Sequence, residues 1–307
     1  MKLLTTIIGA ILLNNFAFAT ANSITPSKPS LSVGVIQIIE HPALNQTRKG
    51  LKDKLEAKTN LKFYWDTAQG KFDLARQIAQ KYVAKQVNVI VAIGTLAAQA
   101  ALSTKSDIPI VFSSVTDPVK ARLVKSLERP GGRATGVSNF VAVERQLDFI
   151  RKVMGTDKPL KIGVVYNPGE DNSHTLNQAM QAAAKAKNIK IVLSAAIRTC
   201  EVQSAANRLM GKVDAILINN DNTALAAFAS IAKVCAGKIP AFVSDVDIVD
   251  QGAAGAIGAN QYILGQQTAD CVLKLVNGMK AAEIPVAFPS KIDERLNEKI
   301  LKSLGLA

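Results

Sequence analysis

The sequence predicts an α/β protein made of two doubly wound parallel-sheet lobes joined by crossovers. Three observations carry this prediction. Short β-branched runs alternate with helix-period stretches along the chain. The alternation occurs twice in the same order. The landmarks of the two halves recur at a nearly constant offset.

Each half opens on a buried-strand run, Val33-Gly34-Val35-Ile36 in the first and Ile162-Gly163-Val164-Val165 in the second. A polar loop and a helical stretch follow each, Leu44 to Ala57 and Thr175 to Lys187. Second strands are expected at Leu61 to Trp65 and Ile189 to Leu193, then helices at Phe72 to Lys85 and Cys200 to Met210. The third strands match best: Asn88-Val89-Ile90-Val91-Ala92-Ile93-Gly94-Thr95 parallels Asp214-Ala215-Ile216-Leu217-Ile218-Asn219-Asn220-Asp221. Both lead into Ala-rich helices, Leu96 to Ser103 and Thr223 to Cys235. Both halves then reach Ile-Pro and a fourth strand, Ile110-Val111-Phe112 and Ala241-Phe242-Val243. Strands separated by helices of this length imply parallel sheets covered on both faces, wound by right-handed crossovers. Beyond Asp247 come a short strand at Gly255 to Gly258, a helix at Ile263 to Val276, an extended stretch at Ile284 to Phe288 and a last helix near Glu294 to Ser303. These leftover pieces predict more than one passage between lobes.

The first stretch reads as an export signal. Lys2 supplies the positive start, Leu3 to Leu13 is an apolar run, and Ala17-Phe18-Ala19 fits a cleavage site, so residues 1–19 are expected to be a signal peptide. The run is shorter than the ~20 residues a membrane span needs. No Cys near the cut could take a lipid anchor. A free periplasmic protein is therefore expected. Cys200, Cys235 and Cys271 match no zinc spacing, although an oxidising compartment would permit one disulfide. Cys235 and Cys271 fall in helical patterns and read as small buried residues.

The net charge is +13, from 37 basic and 24 acidic residues. The basic residues are spread along the chain, without a basic run interleaved with aromatics, so they read as solvated surface and no nucleic acid is expected as partner. Walker, G-x-G-x-x-G, H-E-x-x-H and G-x-S-x-G motifs are absent. The two histidines, His41 and His174, lie in first-strand loops and could reach a cleft, but neither has a nucleophile or metal-ligand partner at suitable spacing. No catalysis, metal or cofactor is expected.

Ligands of open α/β sheets bind outside the carboxyl ends of the strands, so two facing lobes make a cleft lined by those ends. In the first half the ends are Gly94-Thr95 and Ser113-Ser114-Val115-Thr116, hydroxyls beside helix starts that suit an anion. Thr95 as a plain helix cap is an equal reading. In the second half the ends are acidic: Asp221 stands where Thr95 does, Asp245 where Ser114 does, and Glu170 sits in the loop after the first strand. N-capping also accounts for Asp221 and a solvated turn for Glu170. Asp245 follows a buried strand without clearly opening a helix. The ligand matching both walls is a zwitterion, with an α-amino acid placing its carboxylate on lobe one and its ammonium on lobe two. Only a closed cleft would satisfy both ends.

The segments Ile38-Ile39-Glu40-His41-Pro42-Ala43-Leu44, Ala68-Gln69-Gly70, Ile93-Gly94-Thr95, Val111-Phe112-Ser113-Ser114-Val115-Thr116-Asp117-Pro118, Tyr166-Asn167-Pro168-Gly169-Glu170-Asp171-Asn172-Ser173 and Asp221-Asn222-Thr223 resemble the ABC-transporter substrate-binding family of tryptophan- and tyrosine-binding type. The resemblance implies a type I periplasmic-binding fold with three crossovers. It puts lobe one at 31–137 plus 248–280 and lobe two at 138–247 plus 281–307, with Pro130-Gly131-Gly132 and Phe140 near the first crossover. It implies that Thr95, Ser114 and Thr116 hold the ligand's carboxylate. Asn167, Glu170, Asn172, Ser173, Asp221, Asn222 and Asp245 would hold its ammonium and close the cleft. It also implies an aromatic amino acid as ligand, the membrane subunits of an ABC importer as partner, and a monomer. Val243-Ser244-Asp245 and Arg198-Thr199-Cys200 depart from the family's pattern, the first where pocket shape would be set. Trp65, Phe112, Phe140, Tyr166 and Tyr262 are candidates for either pocket or core. A regulator of the same fold would need an N-terminal helix-turn-helix where this chain has its apolar leader. An exported enzyme would need a nucleophile–base pair. A sensor presenting its ligand to a membrane receptor would share these features.

Overall fold

The computed structural model describes residues 28–306. The expected signal peptide, residues 1–19, lies outside the described residues. The first lobe runs β1 (Ser30–Gln37), α1 (Pro42–Lys58), β2 (Asn60–Thr67), α2 (Phe72–Ala84), β3 (Val89–Ile93), α3 (Thr95–Leu102), β4 (Ile110–Val115) and β5 (Ala134–Ser138). The chain then crosses to α4 (Val143–Met154), β6 (Leu160–Tyr166), α5 (Asp171–Ala186), β7 (Ile189–Ala195), α6 (Val202–Asn207), β8 (Ala215–Ile218), α7 (Asn222–Ala226), α8 (Phe228–Cys235), β9 (Ala241–Val243) and β10 (Gly255–Ala259). It returns for α9 (Gln261–Val276) and ends with β11 (Ile292–Leu296) and α10 (Glu298–Ser303).

One sheet has the order β2-β1-β3-β4-β5, the other β11-β10-β9-β8-β6-β7. All pairings are parallel except β10 with β11. This is the predicted pair of doubly wound lobes. Central strands such as β3 and β8 are buried along their whole length, as parallel strands covered on both faces must be.

Lobe membership differs from the expected boundaries in two places. Residues 248–259 belong with lobe two, because β10 pairs Gly255 with Phe242 and Ala256 with Val243 of β9. Residues 281–288 lie against lobe one: Val286 donates to Leu127 O at 2.7 Å, Ala287 donates to Gly136 O at 2.9 Å, and Ile284 joins the lobe-one core. The stretch Ile284 to Phe288 forms one isolated bridge, Val137 with Ala287, and no strand. Glu294–Leu296, expected to open the last helix, is the end of β11. It pairs antiparallel with β10 at the outer edge of the sheet, with Glu294, Arg295 and Leu296 exposed. The predicted helix from Cys200 is broken into a short turn and α6, and the helix from Thr223 is split into α7 and α8. The segments β5 and α4 were not predicted. The apolar face of α4, Val143, Leu147 and Ile150, is buried. All three cysteines are free, with Cys200 exposed and the other two buried.

One packing contact positions the later site. Helix α9, entered straight from lobe two, lies on α1. A Cβ on Gly265 would stand 2.0 Å from Thr47 O, and one on Gly50 would stand 2.0 Å from Tyr262 O. Glycine at both positions lets the two backbones approach that closely. Gly265→Ala is expected to force the helices apart and destabilise the protein by about 1–3 kcal/mol. Gly132→Ala, whose Cβ would meet nothing within 4 Å, should stay within about 0.5 kcal/mol of the parent. Denaturation midpoints of the two variants check this.

Candidate functional site

The carboxyl ends of β3 and β4 face those of β8 and β9 across the interlobe cleft. On the lobe-one side β3 turns into α3 through Gly94, whose φ of 98° suits only glycine and whose N–H donates to Ser113 O at 2.9 Å. Thr95 is the first residue of α3. It is buried, it does not cap the helix, and its Oγ1 has no hydrogen-bond partner. Helix α3 has no side-chain cap, so its first N–H groups remain without a side-chain acceptor. In β4 a register shift between Phe112 and Val115 turns Ser114 into the left-handed region, φ 54°. That irregularity brings its Oγ within 3.4 Å of both Thr47 Oγ1 and Gln261 Oε1. Thr116 is turned to the first crossover, where its Oγ1 meets Asn139 Oδ1 at 3.3 Å and its carbonyl accepts from Ser138 Oγ.

The lobe-two wall holds two kinds of acid. Glu170 and Asp221 are buried but fully engaged. Glu170 accepts from the N–H groups of Asn222 and Thr223, both at 3.0 Å, from Asn222 Nδ2 at 2.7 Å, from Thr223 Oγ1 at 2.8 Å and from Asn172 Nδ2 at 3.2 Å. Asp221 caps α7 by accepting from Ala224 N at 2.8 Å, and it also accepts from Asn167 N at 2.5 Å. Burial, and then the charge of Glu170, push the Asp221 carboxyl upward, while the Asn167 and Ala224 amides and the Ser173 hydroxyl pull the other way. Asn167 uses its remaining polar atoms on Gly169, Ile197 and Thr223. These residues build the loops that carry the wall.

Asp245 is different. It is completely buried, Gln261 Nε2 donates to its Oδ2 at 3.2 Å, and its Oδ1 has no partner. Its carboxyl is held well above the usual carboxylate range, first by burial and then by the charge of Asp247, with the Gln261 hydrogen bond opposing. None of the ion pairs among the described residues involves it.

Asn172 and His41 also carry buried atoms without partners. Asn172 Nδ2 bonds Glu170 and Asn220 O, but its Oδ1 is buried without a partner. The ring nitrogens of buried His41 complete no well-formed hydrogen bond. The nearby Asn222 side chain only partly offsets the burial that lowers His41 to about 4, so its imidazole is neutral at neutral pH. Thus Thr95, Asn172, Asp245 and His41 carry buried polar atoms without partners, while Asn167, Glu170 and Asp221 are satisfied within lobe two. Buried polar atoms without partners are rare in folded proteins and mark where another molecule's polar groups would fit.

Sequence reasoning missed Thr47 and Gln261. Gln261 follows the carboxyl end of β10, and the strand-end rule applied to that strand would have found it. Thr47 lies mid-helix, where no strand-end rule reaches. The aromatic candidates separate clearly. Phe112 is core, Tyr166 packs on the second sheet, Tyr262 donates to Asp53 at 2.9 Å, and Trp65 is 42% exposed beneath the Arg48 guanidinium, 3.6 Å from its ring centre. Phe140 alone lines an interlobe cavity, of about 310 Å³, beside Thr116, Pro118, Leu127, Thr175 and Phe288. Among the described residues no cluster of His, Cys, Asp or Glu could hold a metal ion, and no helix is long and apolar enough to cross a membrane.

This geometry has clear relatives. A curated tyrosine-binding protein of Clostridioides difficile is 34% identical over 93% of this chain and 84% of its own. A domain from Streptococcus pneumoniae solved in complex with L-Trp superposes with a TM-score of 0.84 at 29% identity, covering 90% of this chain and 95% of that one. A ligand-free, open substrate-binding protein with adhesive properties from Clostridium difficile gives a TM-score of 0.69 at 33% identity, over the same shares of the two chains. Residues 32–307 match the family model described as ABC transporter substrate binding protein, and the chain belongs to that family of solute-binding proteins, which are not enzymes.

Proposed function

We propose that this protein is the extracytoplasmic solute receptor of an ABC importer and captures an aromatic amino acid in the cleft between its lobes. The observation that carries the reading is the buried, unpartnered Oδ1 of Asp245 on lobe two, set across the cleft from the free Thr95 hydroxyl and the uncapped start of α3 on lobe one. A zwitterion fits that pair of walls. Its carboxylate meets Thr95, Ser114 and the α3 N–H groups, and its ammonium meets Asp245 and Asn172 Oδ1. Glu170, Asp221, Asn167, Ser173 and Asn222 hold the lobe-two wall in shape, and Thr116 fixes the first crossover. A relative named for tyrosine and a structural neighbour holding L-Trp support an aromatic side chain. The chain superposes better on the L-Trp complex than on the open, ligand-free protein, although it is less identical to the former. That supports closure around the ligand. The signal-like pattern of Lys2, Leu3 to Leu13 and Ala17-Phe18-Ala19 supports export to the periplasm, where the protein would act as a free monomer that docks on the membrane subunits.

Calorimetric titration of the exported protein tests the reading directly. L-Tyrosine or L-tryptophan is expected to bind at one site, and binding of a sugar with no response to any amino acid would sink the proposal. Asp245→Asn should weaken amino-acid binding at least about thirty-fold, because truncating one member of a buried charge pair costs ~2–5 kcal/mol.

The unliganded protein should also open as pH rises. In an open cleft Asp245 is hydrated and titrates in the ordinary carboxylate range; in the closed cleft burial holds its proton more tightly. Closure is thus unpenalised below that range and increasingly opposed as pH rises through and above it, as the open form ionises first. Solution scattering should show the radius of gyration of the parent growing over that range, and that of Asp245→Asn staying constant. Glu170→Gln should behave differently again. It should lower the denaturation midpoint through a loss of about 1.5–3 kcal/mol, with a smaller effect on affinity than Asp245→Asn.

A further inference from the structure

The Gln261 side chain reaches polar groups of both lobes. It is the first residue of α9, immediately after the passage from β10 back to lobe one, and it is buried. Its Nε2 donates to Asp245 Oδ2 at 3.2 Å in lobe two. Its Oε1 accepts from Thr47 Oγ1 at 2.9 Å and lies 3.4 Å from Ser114 Oγ in lobe one. Three anchors keep it there. Asn260 caps α9 by accepting from Ile263 N, Asn260 Nδ2 donates to Asp293 at 2.6 Å, and the glycine contact presses α9 onto α1 beside Thr47.

We propose that Gln261 is a positioning residue that couples the two ends of the ligand: its amide N–H fixes Asp245 so that Oδ1 faces the ammonium, and its amide oxygen, held by Thr47, sets the rotamer from which Ser114 reaches the carboxylate. This inference rests on the amino-acid reading above and assigns one residue within it. The Thr47 bond has ordinary length, whereas the 3.4 Å contact from Ser114 is long for O–H···O. Ser114 therefore loses little when it turns to a carboxylate, and Thr47 keeps Gln261 in place as it does so. The donor to Oδ2 also favours the charged form of Asp245, the form that an ammonium needs. The other charge bearing on Asp245 is that of Asp247, on the turn that follows β9 and opposed to ionisation. Arg295 and Asp293 of β11 bear on Asp247 in turn. Thr47 of α1 and Ser114 of β4 bring no charge. Gln261 is thus the group that assists ionisation from inside the cleft. When the ligand enters as an ammonium, any proton on Asp245 leaves for solvent, and the loss of Gln261 makes that release harder.

The test is titration of the exported protein with L-tyrosine and L-tryptophan from pH 5 to 9, in two buffers of different ionisation heat, comparing the parent with Gln261→Met, close in shape but without donor or acceptor. The variant is expected to bind about tenfold more weakly at neutral pH, to release more protons per ligand bound, and to move the acid limb of the affinity profile to higher pH. In an Asp245→Asn background the same substitution should leave the profile unshifted. A uniform loss of affinity with unchanged profile and proton release would show a packing role only and overturn the proposal. Should Gln261→Met fail to fold, Thr47→Val removes the anchor of Oε1 and should give a smaller shift in the same direction; no shift there overturns it equally. A parent that binds no amino acid overturns the amino-acid reading and this role with it. A parent that binds, beside variants with its own pH profile, overturns only the role of Gln261.

Discussion

Burying an ionised carboxylate without a counter-charge costs several kcal/mol, and a protein that does so must recover the cost elsewhere or avoid the buried state. Asp245 places that constraint at the meeting of the two lobes. It is removed from water, and Gln261 gives it one hydrogen bond where a carboxylate can accept several. This arrangement is therefore electrostatically incomplete by itself. In the proposed reading a cation delivered to Oδ1 completes it, and an anionic group on the same molecule meets the free donors at Thr95 and the start of α3. Recognition and closure would then follow from one electrostatic deficit.

The other acids of the same wall show why composition alone does not mark a cation site. Glu170 and Asp221 are as buried as Asp245, yet between them they accept seven hydrogen bonds from loop amides and side chains. Glu170 sits across the first N–H groups of α7, where a negative charge is favoured. Those two carboxylates bind their own backbone. Their hydrogen bonds tie the loop after β6 to the turn after β8. A buried acid is a ligand group only when its lone pairs are left over.

That distinction also explains what could be read from the residues. The doubled β-α pattern was legible because each strand is short, buried and β-branched and each helix has its own period. The strand ends that face the cleft followed directly. What a carboxylate does at a strand end was only partly legible: Asp221 precedes a helical stretch and could be read as its cap, while Asp245 could not, but which N–H groups the folded loops bring to each shows only in the structure. The lobe boundaries near 248–259 and 281–288 were hidden for a related reason. The periodicity of β10 is the same whichever sheet it joins, and only its hydrogen bonds to β9 and β11 decide. Ser114 was found as a hydroxyl at a strand end, but its left-handed backbone, which aims it at Thr47 and Gln261, carries no glycine or asparagine to announce it.

The position of Gln261 shows how a crossover contributes chemistry as well as connection. A residue inside either lobe could stabilise one end of a ligand, but its geometry toward the other lobe would change with every opening. Gln261 begins a helix clamped to α1 by backbone contact at Gly265 and Gly50, so its bond to Thr47 lies within lobe one, whereas its bond to Asp245 crosses to lobe two. In the proposed reading the first would survive opening and the second would form as the lobes approach. The preceding residue, Asn260, is tied to Asp293 of β11, which keeps the passage itself from swinging freely. Closure of the proposed kind would bring Asp245 to a donor already in place. The carboxylate would lose water and gain its one protein hydrogen bond in the same movement, leaving Oδ1 as the atom whose remaining need a ligand would meet.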